Sequence, residues 1–437
     1  MRLPLPAILF ALCFHAALAH GAGMSLSFWD EGDITDPFGP IRFGGTPLEN
    51  EGRAEGYPDM QYGCAAPGPD GATWIYGWRI QNWSDTKNRV IQVVRCTTRD
   101  GRSFAGEEVV FEYTRSEWQG FANIVYRPTD GAVYLFSWAE WPGKLHVFRS
   151  ETGTDWELLT GNAFEGHDAS CFFWHAPTEQ FVVVQTIVQP YPKRYPDNIG
   201  ELRRVLSFMR SKDGVAWETF SPDFLGGDTL WTPDEADPAD LEFYRVVAFP
   251  VQGRYAMLLN DYMPPPSEAN SRRAATKHGP PYMTEWAISR DGLNWARPFR
   301  ETNVYEDQFW LALQGPLARE GRLRFYHPDG RIASLPEDRL FYVTCRANGE
   351  FSTPGFSMPA GGLTLNADAS YLAAEGANGR AYIMADLLDD TGAIIPGYER
   401  EKCLYENVNG HALPMRWGDK DGSDVAGQTV QLRFFLR

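Results

Sequence analysis

A short turn sequence recurs along this chain and constrains its fold more than any other feature. The segment SRDGLNW (289–295) returns as TTRDGRSF (97–104), SETGTDW (150–156), SKDGVAW (211–217) and, more loosely, RANGEF (346–351). The aromatic residues that end the five copies lie 52, 61, 78 and 56 residues apart: Phe104, Trp156, Trp217, Trp295 and Phe351. Asp-Gly and Asn-Gly steps supply the positive φ angles of tight hairpins. Five copies predict a repeat architecture rather than isolated hairpins.

The runs around each turn read as β-strands. Each copy follows an apolar, β-rich run, such as RVLSFMRS before the third copy and RLFYVTCR before the last, and two further strands lie upstream of each run. None of these runs has helical periodicity. Four strands repeated five times predict an all-β fold, a five-bladed β-propeller over residues 24–355. From Phe356 onward short strands continue without the turn, which predicts a small β-sandwich domain over residues 356–437.

The N-terminus predicts export. Residues 1–19 combine Arg2, an apolar run and Ala17-Leu18-Ala19, as a secretory signal peptide does, with cleavage expected near Ala19. The apolar run is shorter than the roughly 20 residues that span a bilayer, so we expect no membrane insertion. The product is expected to be secreted or periplasmic, as a monomer or a small homo-oligomer.

The charge and cysteine content exclude several classes of partner. The formal net charge is 40 − 57 = −17, which argues against nucleic acid as a partner, because phosphates require a basic face. Five cysteines remain after residue 19, and none lies in a CxxC motif. An odd number leaves at least one without an intramolecular disulfide.

A propeller also predicts where a ligand would bind. The first, innermost strand of each blade lines the axis, and it begins at the rim opposite the Asp-Gly turns. The two longest insertions, PYPKRYPDNIGEL and MPPPSEANSRRAATKHGPPY, fall at the same rim, so a funnel is expected there. The polar residues near the five strand beginnings are Asp59, Asn123, His167, Asp168, Asp240, Glu242, Arg245, Glu306 and Asp307.

At these residues the chain resembles the five-bladed glycoside hydrolases of families 32 and 43, and more closely their relatives with a β-sandwich after the propeller. The blades, the unit TEWAISRDGLNWARPF and the tail segments GLTLNADAS and GQTVQLRFFLR carry the resemblance over essentially the whole mature chain. It implies that Asp59 is the base or nucleophile, that Asp168 tunes the acid and holds a sugar hydroxyl, and that Glu242 is the general acid. It implies no required cofactor; a structural calcium ion at the axis is possible, with His327 as a candidate ligand.

The sequence departs from the pattern of the sucrose-cleaving enzymes of these families at two places. The first blade lacks the Asn-Asp-Pro-Asn-Gly stretch of the sucrose-cleaving branch, which argues against fructan as substrate. The third blade has His167-Asp168-Ala169 in place of Arg-Asp-Pro. In the fourth blade Asp240 is an alternative to Glu242, because the two lie on the same face of a strand.

Further residues are candidates for substrate contact. Trp78, Arg79, Trp138 and Glu140 end second strands near the expected funnel, and Arg245 could hold a substrate carboxylate or sulfate. The complete predicted substrate-binding set is Trp78, Arg79, Trp138, Glu140, His167, Asp240, Arg245, Asp307 and His327. Each residue has a structural alternative: the tryptophans pack, Arg245 neutralises the acidic loop, and the acids cap strands or face solvent.

The sequence therefore favours an exported glycoside hydrolase that cleaves a poly- or oligosaccharide, because paired carboxylates are the groups that such cleavage requires. Three alternatives stay open. A sialidase-like enzyme would need an arginine trio and a tyrosine nucleophile. A polysaccharide lyase would use His167 with Tyr244 or Tyr262, and a non-catalytic propeller would only bind carbohydrate.

Overall fold

The structure is a computed structural model of the 437-residue chain. It describes residues 10–13, 25–82, 84, 89–115, 119–139, 143–166, 169–190, 199–200, 202–238, 241–262, 282–300, 304, 314–345, 348–369 and 381–437. These residues form 32 β-strands and seven short 3-10 helices and contain no α-helix, which confirms the predicted all-β class. No described helix is long and apolar enough to cross a bilayer. The 3-10 helices are Glu31–Asp33, Pro69–Gly71, Ala176–Thr178, Asp223–Leu225, Glu337–Arg339, Arg400–Lys402 and Ser423–Val425.

The chain divides into two compact units. Unit 1 comprises Met1–Thr46 and Pro336–Arg437, and unit 2 comprises Pro47–Leu335. These bounds differ from the predicted domains, 24–355 and 356–437, because segments on both sides of unit 2 belong to unit 1.

In unit 2 the described strands form five sheets, which we number 1 to 5. Sheets 1 to 4 are antiparallel, and their neighbouring strands are consecutive in sequence except in sheet 3, where β18 also pairs with β16. Sheet 1 contains β6 (Gln61–Pro67), β7 (Thr73–Gln81), β8 (Arg89–Thr98) and β9 (Phe104–Arg115). Sheet 2 contains β10 (Gln119–Arg127), β11 (Ala132–Ala139), β12 (Lys144–Ser150) and β13 (Glu157–Thr160). Sheet 3 contains β14 (Ser170–His175), β15 (Gln180–Pro190), β16 (Leu202–Ser211), β17 (Glu218–Thr219) and β18 (Leu230–Trp231). Sheet 4 contains β19 (Glu242–Val251), β20 (Arg254–Tyr262) and β21 (Tyr282–Ser289).

Sheet 5 joins both ends of unit 2. It contains β22 (Leu317–Arg319), β23 (Arg322–Tyr326), β24 (Arg331–Pro336) and β5 (Glu49–Arg53), in that order. The fourth strand therefore comes from the start of the unit, and β5 pairs antiparallel with β24. Ion pairs also connect β5 with β23, because Glu51 accepts hydrogen bonds from Arg322 at 2.7 Å and Arg324 at 2.8 Å.

The repeated turn has one hydrogen-bonding pattern. In the third copy the Ser211 hydroxyl accepts the Gly214 N–H at 2.9 Å, and Asp213 accepts the N–H groups of Val215 and Ala216 at 2.8 and 2.9 Å. Thr98 with Asp100 and Ser289 with Asp291 repeat this pattern, and Ser150 with Thr152 does so with a threonine hydroxyl replacing the carboxylate. In the third copy the closing aromatic folds back, because the Trp217 indole N–H donates to the Gly214 carbonyl at 2.8 Å.

The first strand of a sheet begins at the end away from its turn. In sheet 1, Thr73 pairs with both Pro67 and Thr98 beside the turn, whereas Trp78 pairs with Gln61 and Val93 at the other end. Apolar side chains fill the spaces between sheets; those between sheets 2 and 3 include Phe136 and Phe172, whose rings stack at 4.5 Å.

Unit 1 has its own strands and core. Its strands are β1 (Phe10–Cys13), β2 (Ser25–Ser27), β3 (Thr35–Phe38), β4 (Ile41–Gly45), β25 (Phe341–Cys345), β26 (Gly349–Ser352), β27 (Phe356–Ser357), β28 (Thr364–Asp368), β29 (Tyr382–Leu388), β30 (Leu404–Glu406), β31 (Asn409–Pro414) and β32 (Thr429–Leu436). They form sheets in the orders β2-β1-β28-β31, β25-β4 and β3-β26-β32-β29-β30. Phe28 packs against Phe351 and Phe434 at ring distances of 5.3 and 6.4 Å.

Two strand assignments from the sequence are corrected here. RLFYVTCR was expected as a strand of the fifth blade, but β25, which lies within it, pairs with β4 in unit 1. The RANGEF turn was expected to complete that blade, but Phe351 lies in β26, which pairs with β32. The five sheets agree in number with five blades; their closure around an axis, the C-terminal sandwich and the signal peptide stay predictions.

Candidate active site

The first strands of sheets 1 to 4 lie side by side. β6 contacts β10, β10 contacts β14, and β14 contacts β19. Gln314, which is 3% exposed, joins two of them: its side-chain oxygen accepts the Ile124 N–H at 2.7 Å, and its amide donates to the Phe172 carbonyl at 3.5 Å. Residues at the beginnings of these strands are therefore candidates for one common site.

Asp59 lies two residues before β6, between the buried residues Pro58 and Met60, and its side chain is exposed. The chain therefore holds the backbone on both sides of Asp59 while its carboxylate remains open to solvent. This position agrees with a base or nucleophile, and equally with the turn residue that the sequence left as the alternative.

Glu242 is the first residue of β19 and is fully buried. One carboxylate oxygen accepts a hydrogen bond from the Arg204 guanidinium at 2.7 Å and another from the Arg204 backbone N–H at 3.3 Å. Two tyrosine rings flank this guanidinium, that of Tyr244 at 5.0 Å and that of Tyr262 at 5.3 Å. Sheet 3 thus supplies a cation that pairs with the predicted general acid.

The sequence reasoning missed Arg204, although a signal for it was present. Arg203 and Arg204 lie at the start of the apolar run of β16, and both are 4% exposed. An arginine inside such a run requires an acidic or hydrogen-bonding partner. Glu242 meets this requirement for Arg204.

A second buried charge cluster lies beside β19. We call Asp237, Asp261, Glu285 and Arg297 the Arg297 cluster. The Arg297 guanidinium donates to both oxygens of Asp237 at 2.6 and 2.9 Å, pairs with Glu285, and lies 3.9 Å from an oxygen of Asp261. The four side chains are at most 3% exposed. Three acids therefore share one guanidinium in a region that excludes water.

The excess of acids changes the protonation of the cluster. Burial and the neighbouring charge of Glu285 raise the pKa of Asp261 to about 8. Burial also raises the pKa of Glu285, against the opposing effect of Arg297. Among the described residues, no group hydrogen-bonds to Asp261 Oδ1 or to Glu285 Oε2. The raised pKa favours the protonated form of Asp261.

The predicted aromatic contacts are covered by protein. Trp78 is 3% exposed and Trp138 is fully buried, and the Trp138 indole N–H donates to the Ser170 hydroxyl at 3.0 Å. These rings pack, which is the alternative that the sequence left open, and we omit them from the proposed sugar-binding set. The half-buried Arg79 hydrogen-bonds to Gln92 and Glu107, both at 2.8 Å.

Arg245 and His327 are also buried, at 4% and 2% exposure. Arg245 lies on β19 opposite Asn260 of β20. His327 begins the turn between β23 and β24, where its Nδ1 lies 3.2 Å from an Arg331 nitrogen. A guanidinium beside the imidazole disfavours a cation there. The described residues contain no group of three or more His, Cys, Asp or Glu arranged to hold a metal ion, and the calcium site stays a prediction.

Five further predicted site residues lie in segments that the structure does not describe. Glu140, His167, Asp168, Asp240 and Asp307 lie outside the described residues, so their roles stay predictions. An open cavity of about 580 Å³ lies at the turn end of sheet 2, lined by Arg149, Trp156 and neighbouring polar residues. It lies at the end of the sheet opposite the beginning of β10, and Arg149 is paired there with Glu151 and Glu157, so we do not assign the site to it.

Comparisons with known proteins give structural matches alone. No family model and no curated protein matches this sequence. A thermostable family-43 glycoside hydrolase is 10% identical, with 67% of this chain and 96% of that chain covered and a TM-score of 0.42. A glycosyl hydrolase from Bacteroides ovatus is 13% identical, with 68% and 97% covered and a TM-score of 0.40. An N-acetylgalactosamine deacetylase from F. plautii is 11% identical, with 68% and 94% covered and a TM-score of 0.37.

Most of these structural matches are glycoside hydrolases, the group that the sequence resembles. At these identities and TM-scores the matches assign no activity, and the function must be argued from the residues of this chain.

Proposed function

We propose that this protein is an exported glycoside hydrolase whose unit 2 is a five-bladed propeller. Asp59 is the base or nucleophile, Asp168 assists the acid and holds a sugar hydroxyl, and Glu242 is the general acid. The substrate is a neutral or cationic poly- or oligosaccharide, since the net charge of −17 disfavours strongly anionic polymers. Residues 1–19 are removed on export, so the mature protein lacks β1, which lies between β2 and β28 in unit 1.

One observation carries this proposal. Acidic residues lie at the beginnings of first strands that contact one another in series: Asp59 two residues before β6, and Glu242 as the first residue of β19. Glycosidic cleavage needs one carboxyl group that donates a proton and one that attacks or activates water. The arrangement supplies both kinds of group, one exposed and one buried.

The Arg204 pair sets a condition on the mechanism. Glu242 is covered and hydrogen-bonded to Arg204, so it can donate a proton to a glycosidic oxygen only after this contact is exchanged for substrate.

A non-catalytic glycan-binding protein is the second candidate. The observation that favours it is the zero exposure of Glu242 together with its charged partner, which is the arrangement of a structural ion pair. In that case Glu242 and Arg204 fix sheet 4 against sheet 3, and a glycan is bound without cleavage.

The test is release of reducing ends from a panel of polysaccharides by the purified mature protein. Glu242→Gln, Asp59→Asn and Asp168→Asn are compared with controls at the turn ends of sheets 1 and 3: Asp70→Asn, whose residue is exposed, and Glu218→Gln, which loses a surface pair with Arg210. We expect each site variant to lose at least about 100-fold in kcat while the controls retain it. Full activity in Glu242→Gln and Asp59→Asn would refute the proposed acid and base.

The products separate the remaining alternatives. Unsaturated products that absorb in the ultraviolet would indicate a lyase, and release of sialic acid alone would indicate a sialidase-like enzyme. Glycan binding without any cleavage would establish the non-catalytic candidate.

A further inference from the structure

Two arginines that follow the turn of sheet 4 bind the linker between sheets 3 and 4, and this linker leads into Glu242. Arg297 binds both oxygens of Asp237, at 2.6 and 2.9 Å. Arg300 does the same to Asp234, at 2.5 and 2.6 Å. Both acids belong to the linker between sheets 3 and 4, an acidic segment for which exposure to solvent is the structural alternative from the sequence. Instead, two bidentate arginine–carboxylate contacts hold this linker in place.

The two contacts differ in burial. The side chains of Arg297 and Asp237 are 2% and 3% exposed, whereas those of Arg300 and Asp234 are 30% and 51% exposed. A paired arginine–carboxylate contact away from water is strong and directional, whereas an exposed pair contributes little. Arg297 therefore carries most of the restraint on the linker.

The restraint reaches Glu242 from both sides. Downstream of Asp237, the Leu241 N–H donates to the Pro238 carbonyl at 3.0 Å, and the Leu241 side chain is buried. Glu242 follows directly. The next side chain, Phe243, lies against the Arg297 guanidinium at 4.7 Å from its ring centre. Arg297 thus contacts the chain five residues before Glu242 and one residue after it.

We propose that Arg297 is the positioning residue of the acid: it fixes the backbone on both sides of Glu242 so that the carboxyl group points at the glycosidic oxygen. This inference rests on the proposed role of Glu242 as general acid. Arg297 acts through Asp237 and Phe243, and Glu285 fixes the guanidinium from β21.

Lysine cannot reproduce the contacts that Arg297 makes with Asp237 and Phe243. An ammonium group makes point contacts, whereas both the Asp237 pair and the Phe243 contact use the flat guanidinium. An acid displaced by about 1 Å can lose about 100-fold in rate without loss of substrate binding. We expect Arg297→Lys to lower kcat by at least about 10-fold and to leave KM within about 3-fold.

A second variant distinguishes loss of positioning from loss of folding. Asp237→Asn keeps one oxygen for Arg297 and removes a negative charge from a cluster with excess acid, so the fold should hold. We expect a smaller loss of kcat in the same direction. The control is Arg324→Lys, because Arg324 is equally buried and pairs with Glu51 in sheet 5, a different sheet from Glu242.

The experiment combines steady-state kinetics on the best substrate of the panel with amide hydrogen exchange at residues 234–243. Support requires lower kcat, unchanged KM and faster exchange in both variants, with neither change in the control. Added to Glu242→Gln, Arg297→Lys should cause no further loss, whereas a purely structural defect would lower the activity of that variant as well. If the wild type is active and neither variant lowers kcat, the positioning role of Arg297 is refuted and the proposed function is unaffected. A wild type that cleaves no glycan overturns the proposed function, and the positioning role with it.

Discussion

Replacement of Asp261 by asparagine tests the electrostatics of the Arg297 cluster. Asp261 is 2% exposed and shares Arg297 with Asp237 and Glu285. Arg300 is a further cation beside the cluster, 3.3 Å from Asp237. Burial, then the charge of Glu285, raise the pKa of Asp261 from 3.8 to about 8. The asparagine side chain has nearly the same shape and carries no charge at any pH.

The sign of the effect follows from proton binding. Between about pH 4 and pH 8 the folded state holds a proton on Asp261 that the unfolded state has lost, so the free energy of unfolding falls as pH rises through this window. The slope from one such group is about 1.4 kcal/mol per pH unit. Asp261→Asn removes this contribution, so the free energy of unfolding of the variant should rise relative to that of the wild type from pH 5 to pH 7, by at most about 2.7 kcal/mol.

The assay is urea unfolding followed by tryptophan fluorescence at pH 5, 6, 7 and 8 for both proteins. The quantity of interest is the change with pH in the difference between the two free energies, in which the contributions of ionisable groups outside the Arg297 cluster cancel. Glu218→Gln serves as the control, because its surface pair with Arg210 is exposed and should leave the pH dependence unchanged. A stability difference that stays constant across this range would refute the assigned protonation of Asp261.

Three further predictions concern unit 2 and the cysteines. Tyr326→Phe removes the O–H that donates to the Gly101 carbonyl at 2.7 Å, a contact between sheets 5 and 1, and should lower stability to urea by about 1–2 kcal/mol; unchanged stability would contradict it. Burial alone would raise the pKa of Asp213, but hydrogen bonds from Ala216 and Val215 outweigh it and lower the pKa, so this stabilisation is lost as pH falls below the ordinary aspartate range. Asp213→Ala should lack that acid-side loss, as thermal melting between pH 2 and 5 would show. Burial raises the pKa of Cys171 and Cys403 to about 12, so an aromatic disulfide reagent at pH 8 should label neither thiol until the protein is unfolded, and rapid labelling would refute the burial.

The local parts of the fold could be predicted from the sequence because they depend on neighbouring residues. An Asp-Gly step after a Ser or Thr two positions earlier determines the turn, since all the hydrogen-bonding groups lie within six residues, as in Ser211 to Ala216. Strands beside these turns pair with their neighbours in sequence in sheets 1 to 4.

Pairings between distant segments could not be predicted in the same way. β5 and β24 join residues near 50 to residues near 330, and β25 pairs with β4 rather than with sheet 5. Nothing local to RLFYVTCR distinguishes a partner in one unit from a partner in the other. The assignment of Phe351 to a fifth blade failed for this reason, because its turn resembles the others while its pairing is with β32.

The candidate site shows the same division. The acids at strand beginnings, Asp59 and Glu242, followed from counting blades. Arg204 and Arg297 did not, because each acts on an acid at least 12 residues away in sequence. A rule that charged residues within buried strands need partners would have marked Arg204, Asp261 and Glu285, but only the packing of sheets identifies the partner.

The measurement that tests the central claim most directly is the crystal structure of Glu242→Gln with the best oligosaccharide of the panel bound. The account predicts that Asp59 and residue 242 lie on either side of one glycosidic bond, with their side chains separated by roughly 5 Å or by 6.5 to 9.5 Å, for retention or inversion respectively. It also predicts that Arg204 has exchanged its contact with residue 242 for another. An oligosaccharide bound elsewhere, with residue 242 still buried against Arg204, would contradict it.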